Sequence, residues 1–205
     1  MLELQSRYPL NTETAWVAGL WAADRGSTAR GVVSIKNKCP ALLDAFEEYS
    51  LRNFDITRSK FRLRKTKGYS EATDVYYTRL PVRRFIESLV TNRIRLSGQE
   101  GLAFLSGKFD GDGSIDFERS ILYYGYSKGN RPEALKDEIL IAALGFRTSI
   151  GPSGNAVKVR VLEPRKFAVE IIPYVRHPIK LKKLGWLTSK RPWRSLASET
   201  LASNC

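Results

Sequence analysis

The sequence predicts an α+β protein made of two pseudo-twofold-related αββαββα repeats that pack through one helix from each. Three observations predict it. The nine-residue segments from Val17 to Arg25 and from Leu105 to Gly113 place Asp24 and Asp112 at the same position, 88 residues apart. Each is preceded by small residues at four-residue spacing: Ala15, Gly19, Ala23 in one and Ala103, Gly107, Gly111 in the other. Farther on, Pro81 and Glu87 recur as Pro164 and Glu170, both 83 positions later.

Residues four apart share one face of a helix. Glu13 to Ala23 therefore reads as a helix with a small-residue face, and a second such helix ends at Gly111. The two faces pack backbone to backbone at Ala15, Gly19, Ala103 and Gly107, which brings Asp24 and Asp112 together at the C-terminal helix ends. Gly31 to Ile35 is strand-like, and Pro40 opens a helix through Tyr49, because proline suits the first helical turn. Ile56 to Lys65 and Asp74 to Thr78 read as a hairpin around Lys67-Gly68-Tyr69-Ser70, and Pro81 opens a helix through Leu89. The second repeat follows the same order. Strand-like Ile115 to Tyr126 leads to a helix from Pro132 to Leu144. A hairpin then runs Phe146 to Ile150 and Ala156 to Leu162 across Gly151-Pro152-Ser153-Gly154, and Pro164 opens the last helix. The expected division is a first repeat over 1–90, a polar linker over 91–99, a second repeat over 100–175 and a basic extension over 176–205. In the extension, Trp186 and Trp193 favour packing, and the end from Ser195 reads as mobile.

With 205 residues the chain can bury a substantial core. Its 34 Lys plus Arg against 21 Asp plus Glu give a formal charge of +13, which suits a polyanionic partner, nucleic acid before membrane. No apolar run reaches the ~18 residues of a membrane span, and the N-terminus lacks a signal-peptide core, so a soluble intracellular protein is expected. Cys39, Cys205 and His177 are too few for a zinc site, and His177 has no partner motif for a serine-hydrolase triad. Catalysis, if present, must rest on carboxylates, lysines, water and metal. Two carboxylates at two negative helix ends call for a divalent cation, and hard oxygen ligands favour magnesium or calcium. A single aspartate of this kind is also what a helix running into a turn produces. The run from Asp110 fails as an EF-hand, since its sixth and twelfth positions are Ile115 and Ile121. Asp110 itself is expected to cap a helix or bind a nearby amide. The ending Ser203-Asn204-Cys205 faintly resembles an intein junction, but Met1 and the lack of a splicing domain favour a free-standing protein.

Alternation of charge along a strand separates its two faces. Lys60, Arg62 and Arg64 share one face while Phe61 and Leu63 take the other; Lys158 and Arg160 alternate with Val157, Val159 and Val161. Two basic ridges of this kind suit a DNA major groove, with contacts to phosphates and to guanine edges. Arg30, Lys36, Arg58 and Arg119 are further candidates whose facing the pattern leaves open. The segment Arg176 to Leu184 is basic and amphipathic, suited to a phosphate backbone or to the protein body.

Both nine-residue segments resemble the signature of the LAGLIDADG homing endonucleases in their monomeric two-repeat form. The first matches at Ala18, Gly19, Leu20, Ala23 and Asp24, the second at Leu105, Gly107, Asp110, Asp112 and Gly113. Arg25 stands where the family usually has glycine, and Lys108 where it has an apolar residue. The resemblance implies an intron-encoded, site-specific endonuclease whose curved antiparallel sheets form a saddle on double-stranded DNA, with no membrane partner. It implies divalent ions, Mg²⁺ with Ca²⁺ or Mn²⁺ able to substitute, held by Asp24 and Asp112 with the carbonyls of Ala23 and Gly111. It implies a double-strand break with short 3′ overhangs. Basic residues that organise water in such sites would be Lys38 and Lys128, beside Asn37 and Ser127. The alternative is an RNA maturase or non-cleaving nucleic-acid binder on the same fold.

Overall fold

A computed structural model describes residues 7–65 and 71–189. The tip of the first hairpin (67–70), Trp193 and the end from Ser195 lie outside the described residues. In chain order the first half contains α1 (Thr12–Asp24), β1 (Val32–Asn37), α2 (Pro40–Asn53), β2 (Arg62–Lys65), β3 (Thr73–Thr78) and α3 (Leu80–Thr91). The second contains α4 (Gly98–Asp112), β4 (Gly113–Asp116), β5 (Ile121–Ser127), α5 (Arg131–Ala143), β6 (Thr148–Ser153), β7 (Ala156–Val161) and α6 (Pro164–Ile171), followed by α7 (Pro178–Thr188). Every helix predicted from a proline starts on it or one residue before it. At the start of α1, the Asn11 side chain accepts from the Thr14 amide at 2.9 Å and Thr14 Oγ1 accepts from the Asn11 amide at 3.0 Å. This reciprocal cap satisfies two otherwise orphaned donors.

Both sheets are wholly antiparallel, ordered β1-β3-β2 in the first half and β4-β5-β7-β6 in the second. One face of each is covered by helices. Val33, Ile35, Val75 and Tyr77 are buried with Phe46 of α2 and Phe85 of α3. Leu122, Tyr124, Val157, Val159 and Val161 are buried with Leu140 and Ile141 of α5. On the opposite faces, Lys36, Arg62 and Arg64 of the first sheet are exposed, and Lys158 and Arg160 of the second are half-buried. No helix among the described residues is long and apolar enough to cross a membrane.

Three expectations need correction. The first repeat keeps only a single Arg25–Ile35 bridge where the second has β4. In β4, Ile115 is buried and anchors the strand, whereas the residue 88 positions earlier is Ser27, with nothing apolar to bury. The strand expected over Ile56 to Lys65 begins only at Arg62, because Arg58–Lys60 forms a 3-10 turn in which the Thr57 and Ser59 hydroxyls bond each other at 3.0 Å. The second hairpin turns at Gly154 and Asn155, later than expected. Gly154 has φ +59, as a two-residue loop requires, and Pro152 is tolerated because β6 is an outer strand. Within the linker, Arg93 is fully buried, ion-paired with Asp137 and, at 2.9 Å, with Glu133.

Candidate active site and nucleic-acid interface

The site begins with the packing of α1 on α4. A Cβ added to Gly19 would lie 1.9 Å from the Phe104 carbonyl oxygen, and one on Gly107 2.1 Å from that of Trp16. Only glycine permits so close an approach, and Ala15 and Ala103 beside them are wholly buried. At the C-terminal ends a Cβ on Gly111 would sit 2.5 Å from Ala23 Cβ and 3.0 Å from Asp24 Oδ2. The Asp24 carboxylate therefore lies against the last turn of α4, as the small-residue stripes predict. Asn37, at the end of β1, donates to Asp24 Oδ2 at 2.6 Å while its own Oδ1 accepts from the Cys39 amide at 2.7 Å, which fixes the amide's orientation. Burial raises the Asp24 pKa against the lowering effects of Asn37 and Lys180. The Asp112 pKa rises to about 6, first from desolvation and then from the Asp24 charge, with Lys108 and Lys180 opposing. The Asp112 side chain nevertheless keeps an opening to solvent. Two hard, crowded carboxylates that repel each other are a donor set that fits a divalent cation. Asp24 and Asp112 are the residues that would hold one. Among the described residues, no group of three or more His, Cys, Asp or Glu side chains adds to them.

The C-terminal segment belongs to this site, which the chain's pattern left undecided. Buried Asp110 accepts from the Trp16 indole and from the amides of Arg176 and His177, each at 2.9 Å. It thus sits at the N-terminal, positive end of α7. In return Lys180 donates to the carbonyls of Phe109, Asp110 and Gly111 at 2.7, 2.9 and 2.7 Å. One anion and one cation, exchanged between α4 and α7, clasp the two elements together. Arg176 adds a bond to Tyr49 of α2 at 2.6 Å. Burial lowers the Lys180 pKa, while Asp110, Asp24 and Asp112 all favour its charged form. The Gly111 carbonyl expected to face a metal already accepts from this ammonium. The only signal in the sequence was the basic, amphipathic character of the segment; nothing there pointed to Lys180 in particular. The expectation that Asp110 binds neighbouring amides is met.

The sheet faces opposite the helices carry the predicted cations unevenly. In the second repeat the register places Tyr123, Lys158, Arg160 and Ser149 on one face, and Lys158 lies 4.0 Å over the Tyr123 ring. In the first, Lys36, Arg62, Arg64, Asp74 and Tyr76 share a face. Arg64 is held by buried Asp74 at 2.6 Å, and Arg62 turns back to the carbonyls of Ser59 and Phe61. Lys60 falls on the 3-10 turn, off the strand alternation. Leu63 is a further correction: it is 72% exposed, because β2 is an outer strand and only Phe61 reaches Phe46 and Tyr77. Arg58 pairs with Glu47 at 3.2 Å, Arg119 lies 3.9 Å from Asp116 in the β4–β5 turn, and Arg30 is exposed just before β1.

No family model matches the chain. The structure is similar to the homing endonuclease I-DmoI in complex with DNA and Ca, with TM-score 0.64 and 16% identity, over 86% of this chain and 98% of that one. It is also similar to the N-terminal LAGLIDADG domain of WhiA, with TM-score 0.53 and 12% identity, over 84% of this chain and 89% of that one. The chain has the LAGLIDADG fold. It is 28% identical over 184 residues to a component of the A-type ATP synthase of Methanopyrus kandleri, a match that spans 87% of this chain but only 18% of that protein's length.

The two departures from the LAGLIDADG pattern are accommodated differently. Arg25 follows α1 with φ −55 and ψ 117, an extended geometry open to any residue. Gly113 after α4 is also extended, but a Cβ there would strike the Phe109 ring at 2.0 Å, so glycine is needed for space. Lys108 is buried on the second LAGLIDADG helix, where it pairs with Asp137 and lies 4.5 Å over the Tyr126 ring. Asp137 also accepts from Arg93 and from the Tyr126 hydroxyl, so an apolar motif position has become part of a buried ionic cluster. Lys38 and Lys128 fall on matching positions just past β1 and β5, both exposed, and neither has an acidic partner among the described residues.

Proposed function

We propose that this protein is a site-specific DNA endonuclease of the homing type, hydrolysing a phosphodiester in each strand with divalent metal and leaving short 3′ overhangs. The observation that carries this reading is the approach of Asp24 to the end of α4, close enough to Asp112 for the two charges to repel, in a fold whose two sheets each carry basic side chains on one face. The similar I-DmoI structures are complexes with DNA and Mn or Ca, which supports the partner and the cofactor class. A bound divalent ion would activate water and stabilise charge at the scissile phosphate.

The chain's own residues prepare that chemistry. Asn37 fixes the Asp24 carboxylate, and Lys180 neutralises part of the acidic centre while holding the carbonyl end of α4. Lys38 and Lys128, exposed at the strand ends, would contact phosphates near the break. Arg30, Lys36, Arg58, Lys60, Arg62, Arg64, Arg119, Lys158 and Arg160 would supply the salt-dependent backbone affinity and part of the base readout. The protein would act as a monomer, each repeat contributing one aspartate.

The test is cleavage of a randomised duplex library with Mg²⁺ by the wild type, Asp24→Asn and Asp112→Asn. Wild-type double-strand cutting that either substitution abolishes is the expected result. Retained double-strand cutting in either variant would overturn the assignment. Tight sequence-specific binding by the wild type without cutting would replace it by the maturase or non-cleaving reading.

A further inference from the structure

A cleft of about 720 Å³ opens between the end of α1 and the second repeat, lined by Trp21, Arg25, Lys108, Asp112, Glu133 and Lys136 among others. Most of its charged groups are committed to ion pairs. Lys108 pairs with Asp137, and Lys136 with Glu133 at 2.9 Å. Arg25 has no acidic partner among the described residues; its guanidinium lies 5.0 Å from the centre of the Trp21 ring. Arg83 lies 5.5 Å from the same ring but is already bound to Glu87 and to the carbonyls of Ala29 and Val32. Trp21 is 3% exposed, and its indole Nε1 has no hydrogen-bond partner among the described residues. A buried donor without an acceptor is costly unless a ligand supplies one.

We propose that Arg25 and the Trp21 indole N–H form a receptor for one backbone phosphate of bound DNA, beside Asp112 and on one side of the site only. Both groups are donors, and a planar guanidinium fork matches phosphate oxygens, while stacking on an aromatic ring holds it in place. The receptor is one-sided by sequence. The residues 88 positions after Trp21 and Arg25 are Phe109 and Gly113, which offer no side-chain donor. The residue that breaks the LAGLIDADG motif thereby gives the two DNA strands unequal holds.

This inference rests on the nuclease reading, and its test separates the two. Binding of a cognate duplex, selected by the wild type, is measured against salt in Ca²⁺ for the wild type, Arg25→Met, Arg25→Lys and the exposed control Arg165→Met. Duplexes with single methylphosphonate replacements then map which phosphates matter. Arg25→Met should reduce the slope of log K against log salt by about 1 and lose sensitivity to one phosphate on one strand. Arg25→Lys should keep the slope but weaken the effect of that phosphate, and Arg165→Met should match the wild type. In Mg²⁺, Arg25→Met should slow one strand and accumulate nicked duplex. A wild type with steep salt dependence and an Arg25→Met variant with the same slope and the same phosphate map would overturn the receptor alone. A wild type that shows no salt-dependent duplex binding would overturn the nuclease reading as well, before any variant is compared.

Discussion

Asp112→Asn should stabilise the metal-free protein while it abolishes double-strand cleavage. The native carboxyl has its pKa raised from 3.8 to about 6, chiefly by desolvation and by Asp24. The native state therefore binds this proton more tightly than the unfolded chain, so the group's contribution to stability falls as pH rises from about 4 to about 6 and stays low above that. At ~1.4 kcal/mol per pH unit the full shift is worth about 3 kcal/mol, and solvent access at Asp112 reduces this to ~1–2 kcal/mol. The amide carries no such penalty. Thermal unfolding in EDTA at pH 7.5 should thus show the variant about 4 °C above the wild type, and by pH 4.5 the gain should shrink to about a third. Added Mg²⁺ should reverse the order, because only the intact pair gains from binding; at a hundredfold excess over the dissociation constant that gain is ~2.7 kcal/mol. A variant less stable than the wild type in EDTA at pH 7.5 would refute the reasoning, as would a gain that does not change between pH 7.5 and 4.5.

Two further outcomes follow from the packing. Gly19→Ala should force α1 away from the Phe104 carbonyl and cost about 3 kcal/mol, read as a lowered urea midpoint; a wild-type midpoint would mean the helices are not in backbone contact. Asp110→Ala removes the acceptor of the Trp16 indole and of the Arg176 and His177 amides, at about 3 kcal/mol. Hydrogen exchange should then accelerate through α7 while β5 and β7 stay protected, and unchanged α7 protection would count against the clasp.

Much of the fold was legible because it depends on short-range pattern. The small-residue stripes located both seam helices, since close helix approach tolerates few side chains at the contact. Prolines marked four helix starts because their fixed φ suits only the first turn. The alternation at Val157 to Val161 gave the right faces for Lys158 and Arg160. The same logic failed at Leu63, because period two says which residues share a face but not whether a helix lies beneath it.

Local pattern was enough to establish that two related halves meet through glycine-lined helices ending in Asp24 and Asp112, because such spacing leaves few other ways to pack. How those aspartates are held was settled only by the folded chain. Asn37 is 13 residues from Asp24, and Lys180 is 69 from the Gly111 carbonyl it grips. Trp21 and Arg25 open onto a cleft built partly by the other repeat. Contacts at such separations are set by the whole chain's folding, and short-range pattern carries no trace of them.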